Sequence, residues 1–235
     1  DAYQRCIDPV HKLSKPLMCL WLGLVGIVSA SALAQDRHPL QARLAGQWKV
    51  STMDGTESTE LLQFLALAET NMMGAGENFR ETYASGGDNA LSTCRMAGAL
   101  AGDPTDFSIL DRGDVIDLTA FGRTRRVSMD FDLEPPDAYV PNELGWSVGR
   151  WVGDMLVIRT RHFSEGAIRL GEQPLPFGTP LAQVVERYTL SEDGNRLSLA
   201  INLNDPEYYL FSLRVRHEYV RTEGVLSSTG GCVRG

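Results

Sequence analysis

The sequence predicts a mainly β chain whose antiparallel strands close, or nearly close, into a barrel. Three observations carry this. Beyond Asp106 the chain breaks into short β-favouring runs separated by Gly, Asp, Asn and Pro, which is the punctuation of hairpins. Apolar and polar residues alternate within the clearest of those runs, so a strand there has one buried face. The connections are too short to hold crossover helices, which disfavours a parallel α/β sheet.

Taken in chain order, Lys12 and Lys15 precede an apolar run from Leu17 to Ala32, and Ala32-Leu33-Ala34 supplies the small-x-small triplet that a signal peptidase reads. Residues 1–34 are therefore expected to be a signal peptide with leading residues, and residues 35–235 a single β-rich domain. A transmembrane anchor is the alternative, because the run approaches the ~20 apolar residues that span a bilayer. Export implies a periplasmic or secreted protein that meets the membrane only during export. Leu44 to Val50 reads as the opening strand with Trp48 buried on it, as in many calycin-type barrels, so the expected barrel is calycin-like. A short N-terminal helix is expected over Leu61–Ala68, with Ser58, Thr59 and Glu60 as its polar start. The Gly-rich stretch from there to Asp88 reads as irregular. Its Gly74-Ala75-Gly76 lacks the Lys-Ser/Thr and the following helix that a phosphate loop needs.

Strands are then expected near Phe107–Leu110, Val115–Ala120, Arg125–Phe131, Gly145–Trp151, Met155–Phe163, Ala182–Leu190, Arg196–Asn202 and Tyr208–Arg221. The last is the clearest. Tyr209, Phe211, Leu213, Val215, His217 and Tyr219 share one face, and Ser212, Arg214, Arg216 and Glu218 the other. Asp193-Gly194-Asn195 and Trp151-Val152-Gly153-Asp154 read as hairpin turns, since Gly and Asn accept positive φ.

Composition narrows the function. The chain has 235 residues with 22 Lys plus Arg against 30 Asp plus Glu, a net charge of −8. No cationic stripe exceeds Arg123-Thr124-Arg125-Arg126, which argues against nucleic acid as a partner. Cys94 and Cys232 remain after removal of the leader. An even pair in an oxidising compartment reads as one disulfide, with two free thiols as the alternative. No H-x-H, H-E-x-x-H or CxxC spacing occurs, so no metal and no cofactor is expected.

The run from Gly145 through Trp146-Ser147-Val148-Gly149-Arg150-Trp151-Val152-Gly153-Asp154 to Met155-Leu156-Val157-Ile158 resembles a G-x-S-x-G-R-W-x-G-D-x-L-V-V signature. That signature belongs to an uncharacterised family of exported bacterial proteins. Arg125-Arg126-Val127-Ser128-Met129-Asp130, Glu186-Arg187-Tyr188 and Asp205-Pro206 are similar to further motifs of the same family. The resemblance covers roughly Cys94 to Cys232 and implies an exported protein, with no activity attached. Ser147 matches the letters of a hydrolase nucleophile elbow, but a strand follows it where that elbow requires a helix.

Two functions from different classes fit these residues. The first is a barrel binding a small hydrophobic molecule, lined by Trp48, Arg126, Trp146, Tyr188, Tyr209, Phe211 and Tyr219. The second is a cofactor-free lyase, isomerase or hydratase on a hydrophobic substrate, with His217 as acid or base beside Asp130 or Glu186. Arg126, Ser128 and Asp130 share one strand face. They form either an interior polar row or a solvated edge.

Overall fold

The computed structural model describes residues 38–51, 56–85, 106–120, 122–170 and 173–224. The expected signal peptide, Cys94 and Cys232 lie outside them. Nine strands form a closed barrel: β1 (Gly46–Val50), β2 (Phe107–Asp111), β3 (Val115–Ala120), β4 (Arg123–Ser128), β5 (Trp146–Val152), β6 (Met155–Arg161), β9 (Gln183–Leu190), β10 (Arg196–Asn204) and β11 (Leu213–Thr222). A separate hairpin, β7 (Gly166–Leu170) with β8 (Gln173–Phe177), is inserted between β6 and β9. Helices α1 (Pro39–Leu44), α2 (Thr56–Asn71) and α3 (Gly74–Ser85) complete the described elements.

The barrel is mixed rather than purely antiparallel. Around the ring β1-β11-β10-β9-β6-β5-β4-β3-β2 every pair is antiparallel except β4 with β5. Parity requires this. Strand direction cannot alternate all the way round a ring with an odd number of members. The segment 129–145 meets the requirement by returning along the outside of the barrel, so that β5 starts at the same end as β4. This parallel seam is thin, pairing only Val127 with Ser147 and Ser128 with Val148. The return segment is held on the wall by Phe131, whose ring lies under the Arg150 and Arg159 guanidinium groups at 4.2 and 4.4 Å. The Trp146 indole N–H also donates to the Leu133 carbonyl at 3.1 Å.

Other departures from the sequence reading have local causes. The stretch after Ala68, read as irregular, contains α3. Its Gly76 is there for close approach: a Cβ at that position would lie 2.9 Å from Met72 and 3.2 Å from the Tyr208 carbonyl. β7 and β8 were not expected, because Pro176 removes a ladder donor and demotes its run; a two-stranded ribbon tolerates it. The sixth barrel strand ends at Arg161, since His162 takes φ 57°. The long expected strand from Tyr208 begins only at Leu213, because 205–212 form a turn closed by Tyr208 and Tyr209 amides on the Asp205 carbonyl. Phe211 therefore leaves the wall and is 64% exposed. From Leu213 to Tyr219 the expected alternation of buried and outward residues is present.

Both rims are covered. α1 crosses one: the Gln41 amide donates to Asp111 Oδ1 at 2.7 Å and to the Gly113 carbonyl at 2.6 Å, and His38 stacks on Trp151 at 4.2 Å. At the other rim Ile168, Leu175 and Phe177 of the β7–β8 hairpin join the barrel core.

Arg221 near the end of β11 closes the ring. Its guanidinium lies 4.4 Å over the fully buried Trp48 ring and donates to the Ala45 and Gly194 carbonyls at 2.8 Å and to that of Arg43. Gly46, at φ 145°, clears its path, for a Cβ there would sit 2.3 Å from Arg221 Nη1. Arg221→Ala removes three charge-assisted hydrogen bonds and the ring contact together. It is expected to lower stability by about 2–3 kcal/mol in urea unfolding, with Arg221→Lys recovering less than half.

Candidate functional site

The barrel interior is apolar apart from one polar cluster and one histidine. Val184, Glu186 and Tyr188 share the inward phase of β9, and the ladder sets them against Thr160, Ile158 and Leu156 of β6. Thr160 in turn faces Ser147 on β5, and Ser147 pairs with Val127 on β4, whose inward phase also carries Arg125. Four adjacent strands therefore deliver Arg125, Ser147, Thr160, Glu186 and Tyr188 to one place.

There the Arg125 fork meets the Glu186 carboxylate, Nη1 to Oε2 at 2.6 Å and Nη2 to Oε1 at 2.8 Å. Nη1 also donates to Thr160 Oγ1 at 2.9 Å and, longer, to Ser147 Oγ at 3.4 Å. The two hydroxyls lie 2.9 Å apart. The Tyr188 hydroxyl donates to Glu186 Oε1 at 2.9 Å. Both charged side chains are cut off from water, Arg125 at 3% exposure and Glu186 at 0%. Burial alone would pull the Arg125 pKa down, but the Glu186 charge and the Tyr188 oxygen hold it above its ordinary value. Burial, reinforced by the Glu186 carboxylate, pushes the Tyr188 pKa well up. Glu186 accepts two bonds from Arg125 and one from Tyr188, which commits its carboxylate to fixing Arg125. One donor is left over: Arg125 Nε–H is buried without an acceptor.

Arg125 and Ser147 also form part of the lining of a cavity of about 320 Å3 at the β4–β5 seam. It opens where β4 and the approach to β5 diverge, under the return segment, and its other walls include Val115, Leu133, Leu144, Trp146 and Arg126. The lining is largely apolar, with the polar cluster on one side. Its volume is at the low end of small-ligand sites.

His217 stands apart. It lies on β11 between Val215 and Tyr219, opposite Leu199, and is 3% exposed with neither ring nitrogen hydrogen-bonded. Burial pushes its pKa down to about 4. A row of edge-to-face rings runs from it through Tyr219 and Phe107 to Tyr188, at 6.4, 4.8 and 6.4 Å between neighbours.

The three residues proposed for catalysis are not brought together. Glu186 is committed to Arg125 and Tyr188, while Asp130 is exposed beyond β4, where its Oδ1 accepts the Asp132 amide at 3.2 Å. Of the residues proposed to bind ligand, Trp146 and Arg126 line the seam cavity. Arg126 points outward, its Nε 3.5 Å from Asp117, which places the Arg126–Ser128–Asp130 row on the outer side. Trp48, Tyr188 and Tyr219 are packed in the core, and Tyr209 donates its hydroxyl to the Pro176 carbonyl at one rim. Sequence reasoning passed over Arg125 and Thr160. The available signal was phase: Arg125 lies two residues from Val127, and Glu186 sits between Val184 and Tyr188.

Fold and site define a closed nine-stranded barrel with a buried arginine–carboxylate pair beside a lateral cavity. No protein-family model matches this chain, and no curated protein matches it either.

Two outcomes follow from these geometries. Glu186→Gln strands the Arg125 charge in the core and is expected to cost about 3–5 kcal/mol. The double replacement Arg125→Met with Glu186→Leu should recover most of that, giving a large coupling energy in a double-mutant cycle by denaturant unfolding. For His217 the folded pKa of about 4 lies below the ordinary 6.5, so the unfolded chain binds the extra proton between those values. Its contribution is therefore intact above pH 6.5, falls through that window by about 3 kcal/mol, and levels off below pH 4. Unfolding titrations of His217→Leu should lack this decline relative to the parent chain.

Proposed function

We propose that this chain is an exported barrel that binds a small hydrophobic molecule, and that the molecule lodges in the seam cavity. The observation that carries the reading is the pairing of a largely apolar cavity with a buried donor that has no acceptor, Arg125 Nε–H, on a residue that lines it. The ligand is then a compact apolar molecule with one hydrogen-bond acceptor. Apolar walls supply most of its burial and the guanidinium fixes its orientation. Glu186 neutralises Arg125, so the acceptor need not be an anion.

Export rests on the signal-like segment at residues 1–34 and on the resemblance to exported bacterial proteins carried by Gly145–Ile158. That resemblance includes Arg125, Ser147, Glu186 and Tyr188, the residues of the buried cluster. The buried Trp48 on the first strand supports a calycin-like reading of the barrel. Catalysis by His217 has no such support, because its ring nitrogens meet no carboxylate.

Leu144→Trp is expected to fill the cavity. Native mass spectrometry of the purified parent chain should show a bound apolar molecule, and the variant, folded by circular dichroism, should have lost it. A parent chain that carries no ligand and binds none from an apolar library, or a variant that retains the ligand, would overturn the proposal.

A further inference from the structure

A second cavity, of about 510 Å3, lies on the other side of the barrel wall, between α2 and the outer faces of β9, β10 and β11. The ladder explains its charge. Arg187 on β9 and Arg216 on β11 both pair with Ala200, so they flank a small residue on the same outward face. Arg214 is the next outward residue along β11 and pairs with Asn202. Strands about 4.8 Å apart and residues about 6.6 Å apart along one face put the three guanidinium groups within reach of a single anion.

Three features set this groove apart from an ordinary solvated face. None of the three arginines has an ion pair among the described residues, although the chain carries a net charge of −8. Among the described residues, no carboxylate lines the groove. Asn202 presents a buried side-chain amide oxygen with no partner, and the amide can be turned to offer its N–H groups instead. The opposite wall, from α2, carries Phe64 and Leu67 beside Gln63. Phe64 is buried at the base of α2 and Leu67, one turn on, is 49% exposed.

We propose that this groove binds a phosphate monoester bearing a short apolar group. Guanidinium forks match phosphate oxygens, and at near-neutral pH phosphate monoesters carry close to two negative charges. A single carboxylate would leave most of the cationic charge uncompensated. Phe64 and Leu67 take the organic group. This site shares no lining residue with the seam cavity and stands or falls apart from it.

Isothermal titration calorimetry of the full chain with octyl phosphate, below its micellar concentration, tests this. Octyl phosphate should bind one site at least tenfold more tightly than inorganic phosphate, and octyltrimethylammonium should not bind. Arg214→Gln with Arg216→Gln should weaken octyl phosphate at least tenfold. Leu67→Ser should remove the advantage over inorganic phosphate, while Leu144→Trp should change nothing. The proposal is overturned if the double arginine variant binds octyl phosphate as the parent does, if inorganic phosphate binds equally well, or if Leu144→Trp abolishes binding. It is also overturned if binding occurs only to phosphatidic acid vesicles and never to the monomeric ester, which would make the groove a membrane contact.

Discussion

The buried contact between Arg125 and Glu186 is the constraint on which the rest of the interior depends. Two opposite charges out of water are tolerated only when they satisfy each other, and here the fork is bidentate, with a threonine hydroxyl accepting a further bond from Arg125 and a tyrosine hydroxyl donating one to Glu186. The pair spans β4 and β9, with β5 and β6 between them. It therefore crosses the one place where the wall is weak. An odd strand count forces a parallel junction, and this one pairs two residues where the neighbouring β5–β6 ladder pairs seven. A charge pair under that junction adds a side-chain link across it where the backbone ladder is short. In interiors of this kind an apolar replacement of both ions is often close to neutral, while loss of one is costly.

Much of the barrel was legible because its long hairpins carry their own evidence. The inward phase of β11 is unbroken from Leu213 to Tyr219, Leu197, Leu199 and Ile201 repeat it on β10, and Asp193-Gly194-Asn195 marks the turn before β10. What was not legible depended on partners distant in sequence. Gly76 reads as a helix breaker until the Tyr208 backbone packs against it. Pro176 reads as a strand breaker until β8 proves to need only one neighbour. The parallel junction has no local signature, because it follows from the number of strands. Tyr209 and Phe211 kept step with the β11 pattern, yet the turn on Asp205 takes them out of the strand; alternation alone does not say where a strand starts.

The candidate site was half legible for a related reason. Glu186 was named only as one of two carboxylates, with Asp130, that could act beside His217. Its true partner sat in the doublet Arg125-Arg126. Period-two alternation guarantees that one of two neighbouring arginines faces in and the other out, without saying which. Val127, in phase with Arg125, settles it toward the core, and the ladder then places the fork at Glu186. His217 was read correctly as facing an apolar interior, and that is the reason it is ill suited to proton transfer at neutral pH: desolvation keeps it neutral, with no acceptor to orient the ring.

Both described rims of the barrel are covered, and the seam cavity opens in its wall. At one rim α1 is tied down by backbone carbonyls and by Arg221, and at the other the β7–β8 hairpin buries Ile168, Leu175 and Phe177 in the common core. Opening either end breaks buried hydrogen bonds or exposes several apolar side chains. The return segment 129–145 is attached differently. Its contacts with the wall include Phe131 between two arginines, the Trp146 and Arg159 bonds to the Leu133 and Phe131 carbonyls, the ion pairs of Glu134 with Arg161 and of Glu143 with Arg123, and the backbone bond from Ser164 to the Asn142 carbonyl. Each is worth far less than a strand ladder, and exposed ion pairs contribute least of all. The segment lies over the seam cavity, which Leu133, Asn142 and Leu144 line together with Arg125. Parity put the weak junction in the wall, and the Arg125–Glu186 pair bridges it from the inside.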